Sequence, residues 1–281
     1  MKNNNVALFI FKWLARLLVY AGCAFSLYSL VWITLSSLKT NNEFFSNIWG
    51  LFKVPQFGNY LKVLKDYSLG LNFANSLFVV IIATVGILAV SAPAAYVLAR
   101  INFPFRGAMA NFFTFGMGVP YQLLLIPLFF LLYGLRLVDS RGGLILVYIA
   151  LSLPFTIFLL VGFFKSLPRE MEEAAYIDGC GPMRAFWEIM LPLCQGGIIT
   201  AGIFNFISLW NEFLLAFTFL TDESKYTLSI GLYGLEGSMQ YTGDWVCLFA
   251  GFAIVIIPTL VVYILLSKQI IEGLTIGAVK G

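Results

Sequence analysis

The chain has 281 residues, of which 60% are hydrophobic and only 11% charged. A soluble domain is roughly 45–50% apolar and about 25% charged, so this much apolar surface calls for lipid as its solvent. A formal net charge of +3 without a basic cluster excludes nucleic acid as a partner, and the absence of histidine removes the commonest proton shuttle.

The expected fold class is an all-α membrane protein. A membrane helix needs about 20 mostly apolar residues, and six stretches qualify, near 17–37, 74–99, 109–134, 144–164, 189–220 and 245–267. Lys2, Lys12 and Arg16 precede the first stretch, as in a signal peptide. The apolar run is too long for one and no A-x-A site follows, which predicts a retained first helix. With the N-terminus inside, ten of the 17 basic residues fall in cytoplasmic segments. Four of the other seven lie in one long loop, 38–73. The short loops therefore set the orientation, and six spans put both termini in the cytoplasm. The chain divides into 1–73 (a basic segment, the first span and an external loop) and 74–281 (five spans, the loop 165–192 and a tail, 268–281). Loop 38–73 holds Trp49, Phe52, Pro55, Phe57 and Tyr60, which leaves two placements open, on the membrane surface or capping the bundle.

The third stretch contains Gly116, Gly118, Pro120, Gln122 and Pro127. Proline removes a backbone hydrogen bond, and the freed carbonyls must face protein or water. A broken helix lining a cavity and a plain kink both fit; Tyr121 and Gln122 are the polar candidates for such a lining. Pro93 and Pro258 read the same way in their spans.

Segment 165–192 reads KSLPREMEEAAYIDGCGPMRAFWEIMLP. Pro168 stands where a helix begins, and Glu170, Glu172 and Glu173 occupy its first turn, where the helix dipole favours negative charge. Gly179-Cys180-Gly181-Pro182 breaks it, and a second short helix, Met183 to Met190, leads to Pro192. This predicts a helix-turn-helix that exposes its acids and the small Ala174 and Ala175. The competing reading is a plain solvated connector.

In the fifth stretch Gly197, Ala201, Asn205, Ser208 and Glu212 fall within roughly 80° of helix surface. Small residues there allow close helix packing. A charged side chain deep in a bilayer costs about 2.5–3.5 kcal/mol and marks a function, so Asn205, Ser208 and Glu212 are candidates for lining a pathway. An interfacial anchor is the alternative for Glu212. Segment 221–244 reads as an external loop whose glycines, Gly231, Gly234, Gly237 and Gly243, permit close backbone approach. Cys23, Cys180, Cys194 and Cys247 form no C-x-x-C pair and read as apolar fillers, with no metal site expected. There is no G-x-x-x-x-G-K-[ST] run, so ATP is not bound here through that loop.

Glu173-Ala174-Ala175-x-x-x-Gly179 followed by Ile189-x-Leu191-Pro192, with Asp178 before the glycine, resembles the coupling loop of binding-protein-dependent ABC import permeases. The tail Gly273-Leu274-Thr275-x-Gly277-x-Val279-Lys280-Gly281, Asn75-Ser76 and Trp210-Asn211-Glu212-Phe213 are similar to the carbohydrate-uptake group, and to the maltose-type permease that lacks a large external domain. The likeness runs from about residue 70 to 281. It implies a permease subunit forming half of a pathway for a sugar or oligosaccharide. Amino acids, peptides or other small polar solutes remain the alternative cargo. It further implies that Glu173, Ala174, Ala175, Asp178, Gly179, Ile189, Leu191 and Pro192 form a cytoplasmic coupling helix and its continuation. Gly273, Leu274, Thr275, Gly277 and Lys280 would reach between the ATPase subunits. The implied partners are a second homologous permease, two ATP-binding cassette subunits that hold ATP and Mg, an extracytoplasmic solute-binding protein, and the lipid of a bacterial or archaeal cell membrane. No cofactor is expected in this chain. A membrane-embedded enzyme would need convergent catalytic groups, and Glu212 is the sole clear acid within a span. A self-sufficient secondary transporter would need repeat symmetry or several intramembrane ionisable residues, and neither is visible.

Overall fold

The computed structural model describes residues 2–278, with side chains for 11–239 and 241–269. It is helical from Lys2 to Ala278, with α1 (Lys2–Ser37), α2 (Asn41–Ser46), α3 (Gly58–Lys65), α4 (Leu69–Arg100), α5 (Arg106–Gly116), α6 (Leu125–Gly134), α7 (Arg141–Ser166), α8 (Glu170–Ile177), α9 (Pro182–Ala185), α10 (Leu191–Leu193), α11 (Gln195–Trp210), α12 (Leu214–Phe219), α13 (Leu228–Thr242) and α14 (Trp245–Ala278) in chain order. Among the described residues four helices are long and apolar enough to cross a membrane: Phe11–Ser37, Leu69–Arg100, Arg141–Ser166 and Trp245–Gln269. Two bent pairs raise the number to six if each is one span: Arg106–Gly116 with Tyr121–Gly134, bent by 92°, and Pro182–Leu193 with Gln195–Trp210, bent by 73°.

The 92° bend decides between the two readings of the third stretch. Met117–Pro120 are non-helical and a 3-10 turn, Tyr121–Leu124, precedes α6. This is a broken helix rather than a kink. Pro93, by contrast, sits within the unbroken α4. The fifth stretch is shorter than expected, because α11 ends at Trp210 and Asn211–Phe213 intervene before α12. Segment 221–244 is also corrected, from a loop to mostly helix: α13 takes up Gly231, Gly234 and Gly237, and of the four glycines only Gly243 has a positive φ, 66°.

The chain forms two compact units, residues 1–70 with 232–256, and 71–231 with 257–281. In the first, the segment after α1 is folded. Thr40 and Glu43 form a capping box at the start of α2, an arrangement that satisfies two orphan amides. The buried Lys39 ammonium donates to the carbonyls of Asn47 and Ile48 at 3.2 and 2.9 Å. Asn59 donates to the carbonyls of Ser37 and Lys39. Trp32, Phe44, Trp49 and Phe249 pack as neighbouring rings. Asp244 accepts from Asn41 and pairs with Lys62. Burial pushes the Asp244 carboxyl up, but the bonds from Lys62, Asn41 and Cys247 outweigh it and leave it below the usual range.

The second unit has a core built on helical spacing. Ala92, Ala95, Tyr96 and Ala99 recur on one face of α4, and Ile157, Leu160, Phe163 and Phe164 on one face of α7. Alanines opposite phenylalanines let the two helices approach closely while filling the space between them. Phe186, Met190, Cys194 and Ala201 complete the cluster. At Gly197 on α11 an added Cβ would stand 2.5 Å from the Phe163 ring, so any larger residue there overpacks the α7–α11 contact. Arg106 fastens the end of α4, donating to the carbonyls of Leu98 and Ala99 at 2.8 and 2.9 Å and to the Asn102 amide oxygen at 2.7 Å. Those carbonyls lack helical partners, and a guanidinium supplies them.

Candidate functional site

Two places in the second unit combine polar chemistry with access. The first is the loop from Lys165 to Pro192. Its helix α8 carries Glu170, Glu172 and Glu173 in the first turn, as the dipole favours. It stops at Gly179, whose φ is +79°. The Cys180 amide donates to Ala175 O at 2.9 Å and the Gly179 amide to Tyr176 O at 3.1 Å. That pair of bonds is the Schellman arrangement, and it needs the left-handed residue that glycine supplies. Pro182 then opens α9, and a π-helical turn, Phe186–Met190, leads into α10.

The helix has two faces. Met171, Glu173, Ala174, Ile177 and Asp178 are exposed, Ile177 by 86%. Glu172 and Ala175 are buried, at 8% and 3%. The expectation that the loop exposes all its acids and both alanines is thereby corrected for these two. Glu172 accepts a hydrogen bond from the Tyr96 hydroxyl at 2.6 Å and from the Tyr176 hydroxyl at 3.2 Å, and its other oxygen lies 3.9 Å from Arg100 Nε. Burial, and after it the Glu172 charge, hold the Tyr176 phenol above its usual pKa, so it stays a donor. Arg100 also donates to Leu167 O. Ile189 and Leu191 are half-buried and Pro192 is exposed.

The second place is a cleft of about 390 Å³ lined by Tyr121, Tyr148, Ser152, Ser208, Asn211 and Glu212 among apolar neighbours. Glu212 lies just past α11 and caps α12: its oxygens accept the amides of Leu215 at 2.7 Å and Ala216 at 3.1 Å. The Tyr148 hydroxyl donates to it at 2.6 Å. The carboxyl group is thus met by a helix N-terminus and a phenol. Of the five candidate lining residues, the structure brings Tyr121, Ser208 and Glu212 to this cleft. Gln122 is exposed on the same 3-10 turn but does not line it. Asn205 is 4% exposed and spends its amide on Thr156 Oγ1 and Ala201 O, at 2.9 and 2.8 Å, joining α11 to α7. It locks α11 to α7 and does not line this cleft.

The loop before α13 is fastened at the other end of α4. Asn75 donates to the carbonyls of Ser224 and Tyr226, and Ser76 accepts the Leu228 amide. Asp139 accepts the amides of Thr221 and Asp222 and pairs with Lys225 at 2.6 Å. The Lys225 ammonium, with the two amides behind it, holds the Asp139 carboxyl well below its usual range.

Sequence reasoning missed Tyr96, Arg100, Glu172, Tyr148 and Ser152. The available signal was the pair of tyrosines inside apolar spans, since a buried phenol needs a hydrogen-bond partner. The tail candidates Gly273, Leu274, Thr275, Gly277 and Lys280 lie outside the described residues. Cys194 and Cys247 are buried, whereas Cys23 is exposed; no metal-binding cluster occurs among the described residues.

Comparison with known proteins places these features in a family. Residues 84–271 match the family described as binding-protein-dependent transport system inner membrane component. The chain is 38% identical, over 89% of its length and 83% of the relative's, to the diacetylchitobiose uptake system permease protein of Streptomyces coelicolor. It is 35% identical, over 91% and 89%, to the sulfoquinovosyl glycerol transport system permease protein of Agrobacterium fabrum. It is 32% identical, over 92% and 93%, to the trehalose transport system permease protein of Mycobacterium tuberculosis. A solved bacterial ABC transporter involved in import of the acidic polysaccharide alginate superposes with a TM-score of 0.80 at 25% identity, covering 92% of this chain and 96% of that one.

Proposed function

This chain belongs to the binding-protein-dependent transport system inner membrane component family, and on that premise we propose that it is the permease subunit of a carbohydrate ABC importer. The observation that carries the assignment is that relatives aligned along about nine-tenths of the chain serve systems for diacetylchitobiose, sulfoquinovosyl glycerol and trehalose. It is an integral membrane transport component that works with other ABC transporter subunits.

The finer reading is as follows. The chain lies in a bacterial or archaeal cell membrane with both termini in the cytoplasm, beside a second homologous permease. Two ATP-binding subunits hold ATP and Mg and perform hydrolysis; an extracytoplasmic binding protein delivers the saccharide. The outward face of α8 docks on an ATP-binding subunit. Its exposed Met171, Ala174 and Ile177 recur three residues apart, so they share a side of the helix, and Glu173 offers a charge to a basic partner. Ala174 lets the partner approach closely. Polar groups of the cleft, Tyr121, Ser208 and Glu212, line this chain's half of the pathway, where hydroxyl and carboxylate acceptors suit a polyhydroxylated solute.

Purification in mild detergent with the neighbouring gene products is expected to give a complex of two permeases and two ATP-binding subunits. Its ATPase should be stimulated by a binding protein loaded with a saccharide. Stimulation by amino acids or peptides and by no carbohydrate would overturn the cargo assignment.

A further inference from the structure

We propose that Glu172 is the positioning residue of the energy-coupling step: through Tyr96 and Arg100 it makes α8 and the end of α4 move as one body. This rests on the reading of α8 as the docking helix.

The argument starts from the two faces of α8. A helix of eight residues has little stability of its own, so a push on its outer face would only tilt it unless its inner face is held. That inner face offers Ala175, which is small and non-directional, and Glu172. Glu172 meets two residues one turn apart on α4: Tyr96, whose hydroxyl donates to it at 2.6 Å, and Arg100, whose Nε stands 3.9 Å away. The Arg100 and Glu172 side chains are 4% and 10% exposed, so solvent does not screen them. Arg100 also holds Leu167 O, in the link between α7 and α8. The Tyr96 ring is fixed in turn between Phe164 of α7 and Phe186 of the π-helical turn, at centroid separations of 5.7 and 5.1 Å. One carboxylate therefore joins α8 to a packed cluster that includes α4, α7 and the start of the bent fifth span.

A buried ion pair contributes little net stability compared with apolar residues of the same volume. Direction comes from the Tyr96 hydroxyl, whose charge-assisted hydrogen bond at 2.6 Å fixes an angle that apolar contacts leave free, while Arg100 at 3.9 Å adds attraction without a hydrogen bond. The docking helix needs that property if its displacement is to reach the membrane helices.

The test uses the complete transporter in proteoliposomes, with uptake and ATP hydrolysis measured together. Glu172→Ala is expected to keep the complex and its hydrolysis while uptake per ATP falls about tenfold, within the range of coupling free energies. Because Glu172→Ala leaves Arg100 unpaired, a second variant, Tyr96→Phe with Arg100→Met and Glu172→Met, removes every buried polar member together. It is expected to assemble and remain uncoupled. Wild-type uptake per ATP in this triple variant, or a parallel fall of uptake and hydrolysis at constant ratio, would overturn the proposal. Ala174→Trp on the outer face separates the two ideas. It is expected to block assembly with the ATP-binding subunits. If it assembles and transports normally, the docking reading fails and takes this inference with it. If it blocks assembly while the Glu172 variants keep a normal ratio, the positioning role alone fails.

Discussion

Glu172 and Glu212 are two carboxylates of one folding unit, and each accepts a tyrosine hydroxyl at 2.6 Å. Their surroundings differ. Glu172 is closed over, with a guanidinium as its cation and no role in capping. Glu212 has no cation beside it among the described residues; two backbone amides at the start of α12 meet the carboxylate, and it borders a cleft of about 390 Å³. The Tyr96 hydroxyl and the Arg100 guanidinium both reach Glu172 from α4, across the boundary between two helices. At Glu212 one oxygen accepts the Leu215 amide and the other accepts the Ala216 amide and the Tyr148 hydroxyl. The same side chain thus joins two helices through a phenol and a guanidinium at one place and caps a short helix beside a cleft at the other.

The contrast can be broken most severely at Glu212. Glu212→Ala removes the acceptor of two amides and one phenol, so it is expected to destabilise the protein by about 3 kcal/mol and to reduce uptake to background; a thermal melt in detergent checks the first and a flux assay the second. An unchanged melting temperature would mean that α12 needs no cap. Gly179→Val forces a β-branched residue to φ +79°, at a cost of about 1–2 kcal/mol. It should unravel the end of α8, and co-purification with the ATP-binding subunits should weaken; intact co-purification would show that the turn is not what presents the docking face. Tyr148→Phe keeps the cap and deletes a single hydrogen bond, for an expected loss of about 1 kcal/mol. A loss as large as that of Glu212→Ala would assign the effect to the phenol rather than to the helix terminus.

The smallest effect concerns pH. Asp139 is depressed, chiefly by Lys225, so its contribution is fully present at neutral pH. It fades as pH drops below the ordinary carboxylate value of about 4 and toward the lower folded value. Lys225 is raised, so its share is lost only when pH rises past the usual lysine range. Protease accessibility of the loop 220–227 should therefore increase below about pH 4 and be flat from 5 to 9. The Asp139→Asn variant should lose that acid dependence.

Much of this organisation was legible in the sequence. Four of the six apolar stretches correspond to single long helices and two to bent pairs, and the stop at Gly179-Cys180-Gly181-Pro182 is observed, because hydrophobic length and left-handed backbone are local properties. For the proline-rich third stretch the sequence left a break and a kink both open. The Glu212 site was marked by the rarity of an acid in a span, although its capping role depends on where α11 ends. Glu172 was not marked. In a run of three glutamates nothing local separates the one that turns inward, and its partners Tyr96 and Arg100 stand 76 and 72 residues upstream. Helix α13 was missed for a related reason. Its glycines argue for a loop, and the bonds that fix its start come from Ser76 and Asn75, also far away in the chain.

The most direct test of the division between the two carboxylates compares Glu172→Gln and Glu212→Gln in the reconstituted complex, reading saccharide uptake and ATP hydrolysis from the same vesicles. The account predicts that Glu172→Gln lowers uptake per ATP by about fivefold or more with hydrolysis retained, whereas Glu212→Gln lowers both and leaves their ratio near wild type. The same change of ratio in both variants, or a changed ratio only in Glu212→Gln, would contradict it.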